Sequence, residues 1–173
     1  MKKYSIIALV LLSSLLGACT SVDIPSTGAN EQKSNTVAGM GESIQDETWK
    51  ITLNSAKIYD QIGDEYFANK PDEGKQFLVA FLEVENISSE DDYFNYLSIE
   101  SYIDGYSDSI NMLLTDVDGV GALVGDVAVG KKLKGYLAYQ VSPEWKEVEF
   151  SYKGDFLSND KLTFVITPED IIE

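Results

Sequence analysis

The 173-residue chain has one cysteine, no histidine and no arginine, so all 13 of its basic residues are lysine. A single thiol cannot close an internal disulfide, and an exported domain without bridges must rest on its core. Without histidine, Ser-His and Cys-His nucleophilic machinery is excluded. Zinc, which draws on histidine and cysteine, is excluded with it. Ser158 and Lys161 match S-x-x-K, but they fall between strand patterns and have no companion motifs. Long hydrophobic runs are missing too. The apolar stretch from Ile6 to Leu16, interrupted by Ser13 and Ser14, falls short of the ~20 residues needed to cross a ~30 Å hydrocarbon core. Positive charge is scarce: 29 acidic residues give a formal net charge of −16, which repels nucleic acid and anionic headgroups. No nucleic-acid partner is expected. The 29 acids offer many carboxylate pairs but no distinctive spacing, so glycoside hydrolysis finds no support.

At the start of the chain, Lys2 and Lys3 precede the apolar run, and the small residues Gly17 and Ala18 precede Cys19. The stretch Leu16, Gly17, Ala18, Cys19 resembles a bacterial lipobox. That resemblance implies a diacylglyceryl group on the Cys19 thiol and cleavage before it. The membrane would then be a partner through the lipid, since two or more acyl chains hold a protein stably where one does so marginally. Loss of the leader's two lysines would take the net charge to −18. The expected location is extracytoplasmic, anchored to the cell membrane. The arginine void, with Asn, Lys and Ile in good supply, hints at an AT-rich genome and favours a Gram-positive host. In a Gram-negative host, Thr20 and Ser21 would direct the protein to the outer membrane.

From Thr20 to about Asp46 the chain is rich in Ser, Thr, Gly, Asn, Gln and Glu, which predicts a flexible tether of roughly 25–30 Å reach. A short element within VAGMGESI is left open. The expected division is a signal peptide at 1–18, a lipidated terminus and linker at 19–46, and a folded domain at 47–173. From Trp49 onward the apolar period is two. Trp49, Ile51 and Leu53 alternate with polar residues, as do Leu133, Leu137, Tyr139 and Val141, then Val148, Phe150 and Tyr152, then Leu162, Phe164 and Ile166. Turn signals lie between these runs, among them PDEG at 71–74 and IDG at 103–105. QFLVAFLEVEN departs from alternation: Leu78, Ala80, Leu82 and Val84 form one face, and Phe77, Val79 and Phe81 the other. It is either a central strand whose outer face a loop covers or an apolar docking patch. The prediction is an all-β, antiparallel, immunoglobulin-like sandwich of six to eight strands.

Four stretches carry a further likeness: WKITLNSAKI, GKQFLVAFLEVENIS, IDG and AVGKKLKGYLAYQVS. Together, over roughly 48–167, they resemble the uncharacterised immunoglobulin-like domain of secreted bacterial lipoproteins, a family related to immunoprotective extracellular antigens. The resemblance implies a fold and transfers no catalytic or ligand motif. The segment from Asp104 to Ala128 is where this chain looks individual, and long loops of this kind often carry specific function.

Two constellations remain. Asp116, Asp118 and Gly121 stand at positions 1, 3 and 6 of a calcium loop, but Val120 and Val127 occupy positions 5 and 12, so this is not an EF-hand. A looser calcium site built from Asp116, Asp118 and Asp126 is the one cofactor the sequence suggests. Tyr93, Phe94, Tyr96, Tyr102 and Tyr106 form an aromatic cluster suited to a protein interface or to stacking on sugars, or else simply complete the core. The expected function is a lipid-anchored binding or adhesion module without catalytic activity, recognising an envelope protein or glycan. The alternatives are a structural or protective lipoprotein with no dedicated ligand, or an accessory or inhibitor of an extracytoplasmic enzyme.

Overall fold

The computed structural model describes residues 36–154 and 161–171. Among them eleven strands run in chain order: β1 (Thr36–Ala38), β2 (Ser43–Gln45), β3 (Trp49–Tyr59), β4 (Gln76–Asn86), β5 (Asp92–Asn95), β6 (Ile99–Ile103), β7 (Tyr106–Asp108), β8 (Val124–Val127), β9 (Lys132–Val141), β10 (Val148–Tyr152) and β11 (Leu162–Ile166). One sheet has the order β1-β11-β10-β6-β7 and a second the order β2-β3-β4-β9; β5 and β8 pair separately. The fold is therefore an all-β sandwich, with more strands than the six to eight predicted. The surplus lies in strands of three or four residues, too short to show alternation. Every pair is antiparallel except β1 with β11.

Residues 36–46, placed in the linker by their composition, belong to the folded body. β1 pairs with β11 in one sheet and β2 with β3 in the other, and Ala38 and Ile44 are buried in the core between them. Two buried apolar residues in eleven are a weak compositional signal, but strand pairing supplies the rest of the stabilisation. The boundary at 46/47 is corrected accordingly.

The predicted inward faces are the observed ones. Trp49, Ile51 and Leu53 from β3, Leu78 to Val84 at alternate positions of β4, and Leu137, Tyr139 and Val141 of β9 face Val148, Phe150, Tyr152, Leu162, Phe164 and Ile166 across a single core. On β3 the parity changes. Leu53 pairs with Leu82 and Ser55 with Phe81, so Asn54 is an extra residue in a bulge, and the inward positions then become the buried Ala56 and the half-buried Ile58.

The other face of β4 is also covered. Phe77 and Val79 join Tyr136 and Ala138 of β9 in a second cluster, closed from above by Ile62 and Val117. Over Phe77 and Val79 the loop-covered reading holds, while Phe81, the third residue of this face, stays partly exposed. The covering segments are knit together: the Asn69 amide donates to Thr115 Oγ1 (3.2 Å), Leu114 N donates to Asn69 Oδ1 (3.1 Å), and Asn111 N donates to the Ala138 carbonyl (2.7 Å). Leu123 anchors the same segment in the main core, crossing β9 where Gly135 has no side chain. A Cβ there would stand 2.3 Å from Leu123 Cα.

Candidate functional site

The Asp104–Gly105 dipeptide makes the hairpin between β6 and β7. Ile103 pairs with Tyr106, and both turn residues have positive φ (51° and 80°), as a two-residue turn of this hand requires. Asp104 also fixes the hairpin to the β9–β10 connection, because its Oδ1 accepts from Lys146 N (2.8 Å) and Glu147 N (3.0 Å). β7 then ends at Asp108. The chain turns away to pack Ile110 on the core and tie Asn111 to β9, and the Asn111 Oδ1 accepts from Gln140 Nε2 (2.9 Å). Because β7 stops at Asp108, opposite Ser101, Ile99 and Glu100 of β6 have no β7 partner and stand beside a cleft of about 400 Å³.

Tyr96 and Leu97 reach this cleft from a 3₁₀ turn over Tyr96–Ser98, capped by Asn95 Oδ1, which accepts from Leu97 N (2.9 Å). Tyr102 reaches it from the outward face of β6, opposite Ser107 on β7. The polar lining residues are Ser107, Ser109, Glu100 and Asp108, with Ser101 buried at the floor; Leu97, Ile99 and Met112 are apolar. Glu100 is bracketed by two lysines, accepting from Lys153 Nζ and from Lys161 Nζ (2.7 Å). Those two hydrogen bonds hold its carboxyl below the ordinary glutamate range, and the Lys161 ammonium is raised in return. Beneath the cleft, Ser101 Oγ and the Tyr139 hydroxyl share a buried hydrogen bond of 3.1 Å.

The aromatic cluster is thus divided. Tyr96 and Tyr102 share the cleft. Phe94 is fully buried, edge-on to Trp49 (centroids 5.3 Å apart) and stacked on Tyr152 (5.0 Å), so it is corrected from binding surface to core. The cause is strand alternation: on β5, Tyr93 faces outward against Asp126 of β8 and Phe94 faces inward. Tyr106 is 80% exposed on β7 and lies outside the cleft lining. Ser107, Ser109 and Met112 went unnoticed in the sequence. The Asp-Gly turn held the one usable signal, since it fixes Ser107 opposite Tyr102.

The three-aspartate calcium site is not assembled. Asp118 Oδ2 accepts from Lys57 Nζ (2.7 Å) and the Tyr59 hydroxyl (2.9 Å), which hold its carboxyl low, while Asp126 stands on β8 against Tyr93. Among the described residues no three acidic side chains gather closely enough to hold a metal ion. The physical reason is the turn itself: Val117 and Val120 bridge each other around Asp118 and Gly119, which directs Asp118 onto β3 and away from the others. Leu16, Gly17, Ala18 and Cys19 lie outside the described residues. Among the described residues no helix is long and apolar enough to cross a membrane.

A family model described as "Domain of unknown function (DUF4352)" matches residues 38–162. The chain belongs to the DUF4352 family. The match begins at the end of β1, in keeping with a folded body that starts before residue 47. Solved structures similar to this DUF4352 chain include the ycdA protein of Bacillus subtilis, at 14% identity and a TM-score of 0.57 over 74% of this chain and 39% of that one. Another is the yjhA protein of Bacillus subtilis, at 18% identity and a TM-score of 0.55 over 75% and 97%. A conserved hypothetical protein of Bacillus anthracis follows, at 14% identity and a TM-score of 0.52 over 70% and 92%. The chain spans about two fifths of the first of these and nearly all of the other two. At these identities the likeness is one of fold. No curated protein matches the chain.

Proposed function

We propose that this DUF4352 protein is a lipid-anchored recognition module on the outside of the cell, without catalytic activity, and that its Tyr96–Tyr102 cleft binds an envelope glycan. The cleft carries the proposal. Two tyrosines share one concavity with Ser107, Ser109 and two acidic residues, the combination of flat apolar faces and hydrogen-bonding edges that a sugar ring offers in return. Burial of Phe77 and Val79 shrinks the apolar surface on the other sheet that would suit a protein partner, which supports the glycan reading. The Leu16–Cys19 lipobox supports the anchor, and the ycdA protein, described as a candidate lipoprotein, is consistent with it. The kinship with immunoprotective extracellular antigens implied by the sequence motifs belongs to the same proposal.

Co-sedimentation of the full-length chain with purified cell-wall glycan tests it. The wild type should sediment with the glycan. Tyr96→Ala and Tyr102→Ala should each weaken binding about tenfold, the scale of a lost stacking contact plus a hydrogen bond. Unchanged binding in both variants, or no binding by the wild type, would replace the glycan module with the structural, protective lipoprotein. Cys19→Ala should release the protein from the membrane fraction.

A further inference from the structure

A second concavity, of about 280 Å³, lies on the outer face of the four-stranded sheet and shares no lining residue with the Tyr96–Tyr102 cleft. Phe81, on the central strand β4, is flanked by Ser55 and Lys57 of β3 and Lys134 of β9, and the Val117–Val120 hairpin stands over them. The β3 bulge adds Asn54 to the wall, and bulges often re-aim side chains beside binding sites.

The charge of this place runs against that of the molecule. Across a chain with 29 acids and 13 lysines, two ammonium groups meet here around a single carboxylate. That carboxylate, Asp118, is already bound by Lys57 and Tyr59. Lys134 has no ion pair among the described residues. Glu83, its partner in the strand register, turns to Lys132 at 2.7 Å instead, and Glu85 follows at 3.6 Å. An uncommitted ammonium, a serine hydroxyl and an asparagine amide form a donor set for an anion, and the same charges repel a cation.

The lining also selects the kind of anion. Phe81 presents a ring whose other neighbour, Lys57 Nζ, lies 5.9 Å from its centroid, and Val120 is apolar beside it. A lysine ammonium takes phosphate as readily as carboxylate, so the selection falls to Phe81 and Val120, which a carboxylate on an apolar group can cover and a bare inorganic oxyanion cannot. A volume near the low end of the ~300–1,000 Å³ range of ligand sites fits a small molecule better than a polymer. We propose that this concavity binds a carboxylate carried on a compact apolar group, with Lys134 as its counter-charge and Phe81 as its platform. A free organic acid and a peptide C-terminus present the same carboxylate chemistry to this site.

Calorimetric titration of the full-length chain distinguishes these sources, using benzoate and N-acetyl-alanyl-alanine, each beside its amide, with inorganic phosphate as comparator. At least one acid should bind saturably below about 10 mM, and its amide and phosphate about tenfold or more weaker, the value of one charge-assisted contact. Lys134→Gln, a change at an exposed position, should weaken the acid to the same extent without altering thermal stability. Preference for benzoate assigns a free acid, and preference for the dipeptide assigns a chain terminus. No saturable binding by either acid, equal binding of acid and amide, phosphate binding as tight as the acid, or an unchanged Lys134→Gln variant would each overturn the site.

Discussion

On the outer face of the four-stranded sheet, Phe77, Val79, Tyr136 and Ala138 are buried beneath Ile62 and Val117. On the outer face of the five-stranded sheet stand instead a Ser151–Thr163 hydroxyl pair (2.8 Å) and Glu100 between Lys153 and Lys161. The two sheets share one core and differ in what crosses them. The β3–β4 and β7–β8 connections both pass over the four-stranded sheet, and each contributes an apolar residue to its roof. Where these connections cross, the outer face is apolar and the alternation of the strand beneath is lost, whereas Ser151 and Thr163, though buried on the other sheet, stay polar by satisfying each other. Hence β4 is apolar at both parities over its first half, while β6 keeps polar residues at its outward positions.

The largest expected effect separates the two apolar layers directly. Phe150 is fully enclosed between the sheets, stacked on Phe164 with centroids 5.3 Å apart. Phe150→Ala should cost about 3–5 kcal/mol in denaturant unfolding, because rigid sheets on both sides cannot close the hole. Phe77→Ala removes the same group from the second layer, whose roof is loop. Partial collapse of the segments carrying Ile62 and Val117 should hold the loss to about 2–3 kcal/mol. Equal losses would mean that the roof is as rigid as a sheet.

This contrast also marks how far the sequence was legible. Strand faces were, because a period of two leaves Trp49, Ile51 and Leu53, or Val148, Phe150 and Tyr152, no other arrangement. The Asp104–Gly105 hairpin was, because the residue types state the turn. The strands at 36–45 were not, since three-residue strands carry no period and draw their stability from partners more than a hundred residues away, or from the sheet they join. The bulge at Asn54 was hidden for a related reason: Ala56 and Ile58 read equally well as the end of an alternating run. Of the aromatic cluster, the sequence could nominate Tyr96 and Tyr102 but could not separate them from Phe94, whose inward direction is set by the pairing of β5 with β8.

A smaller effect distinguishes the layers by pH. Tyr152, packed on Phe94, has its hydroxyl pushed up to about 12 by burial, with the nearby Asp46 carboxylate adding to the shift. The wholly buried Tyr139 hydroxyl is raised too, again by burial first. A raised phenol stabilises the fold fully below its unfolded value of about 10, and the contribution is lost as pH rises through the folded value. Melting temperature should therefore fall between pH 10 and 12, and Tyr152→Phe should make that decline shallower, with a pH-independent drop at neutral pH from the hydrogen bond lost by the buried Trp49 indole. A decline as steep in Tyr152→Phe as in the wild type would assign the alkaline loss to other groups, Tyr139 and Tyr59 first among them.

The smallest effects belong to Glu100 and Asp118, one ion-paired acid on each outer face. Glu100 is 39% exposed, and solvent screens its bonds to Lys153 and Lys161, so Glu100→Gln should cost no more than about 1 kcal/mol. Its carboxyl is held low, so that contribution is present above the ordinary glutamate pKa and lost as pH falls below it. Asp118→Asn should cost equally little, since Lys57 and Asp118 are both about half exposed. What separates the two is ligand binding. Asp118 competes with an incoming carboxylate for Lys57, so its loss should tighten carboxylate binding severalfold, whereas Glu100→Gln should leave it unchanged. If Asp118→Asn weakened that binding instead, the Val117–Val120 hairpin would have to be the element that shapes the concavity, with Lys57 held in place by Asp118 rather than withheld by it.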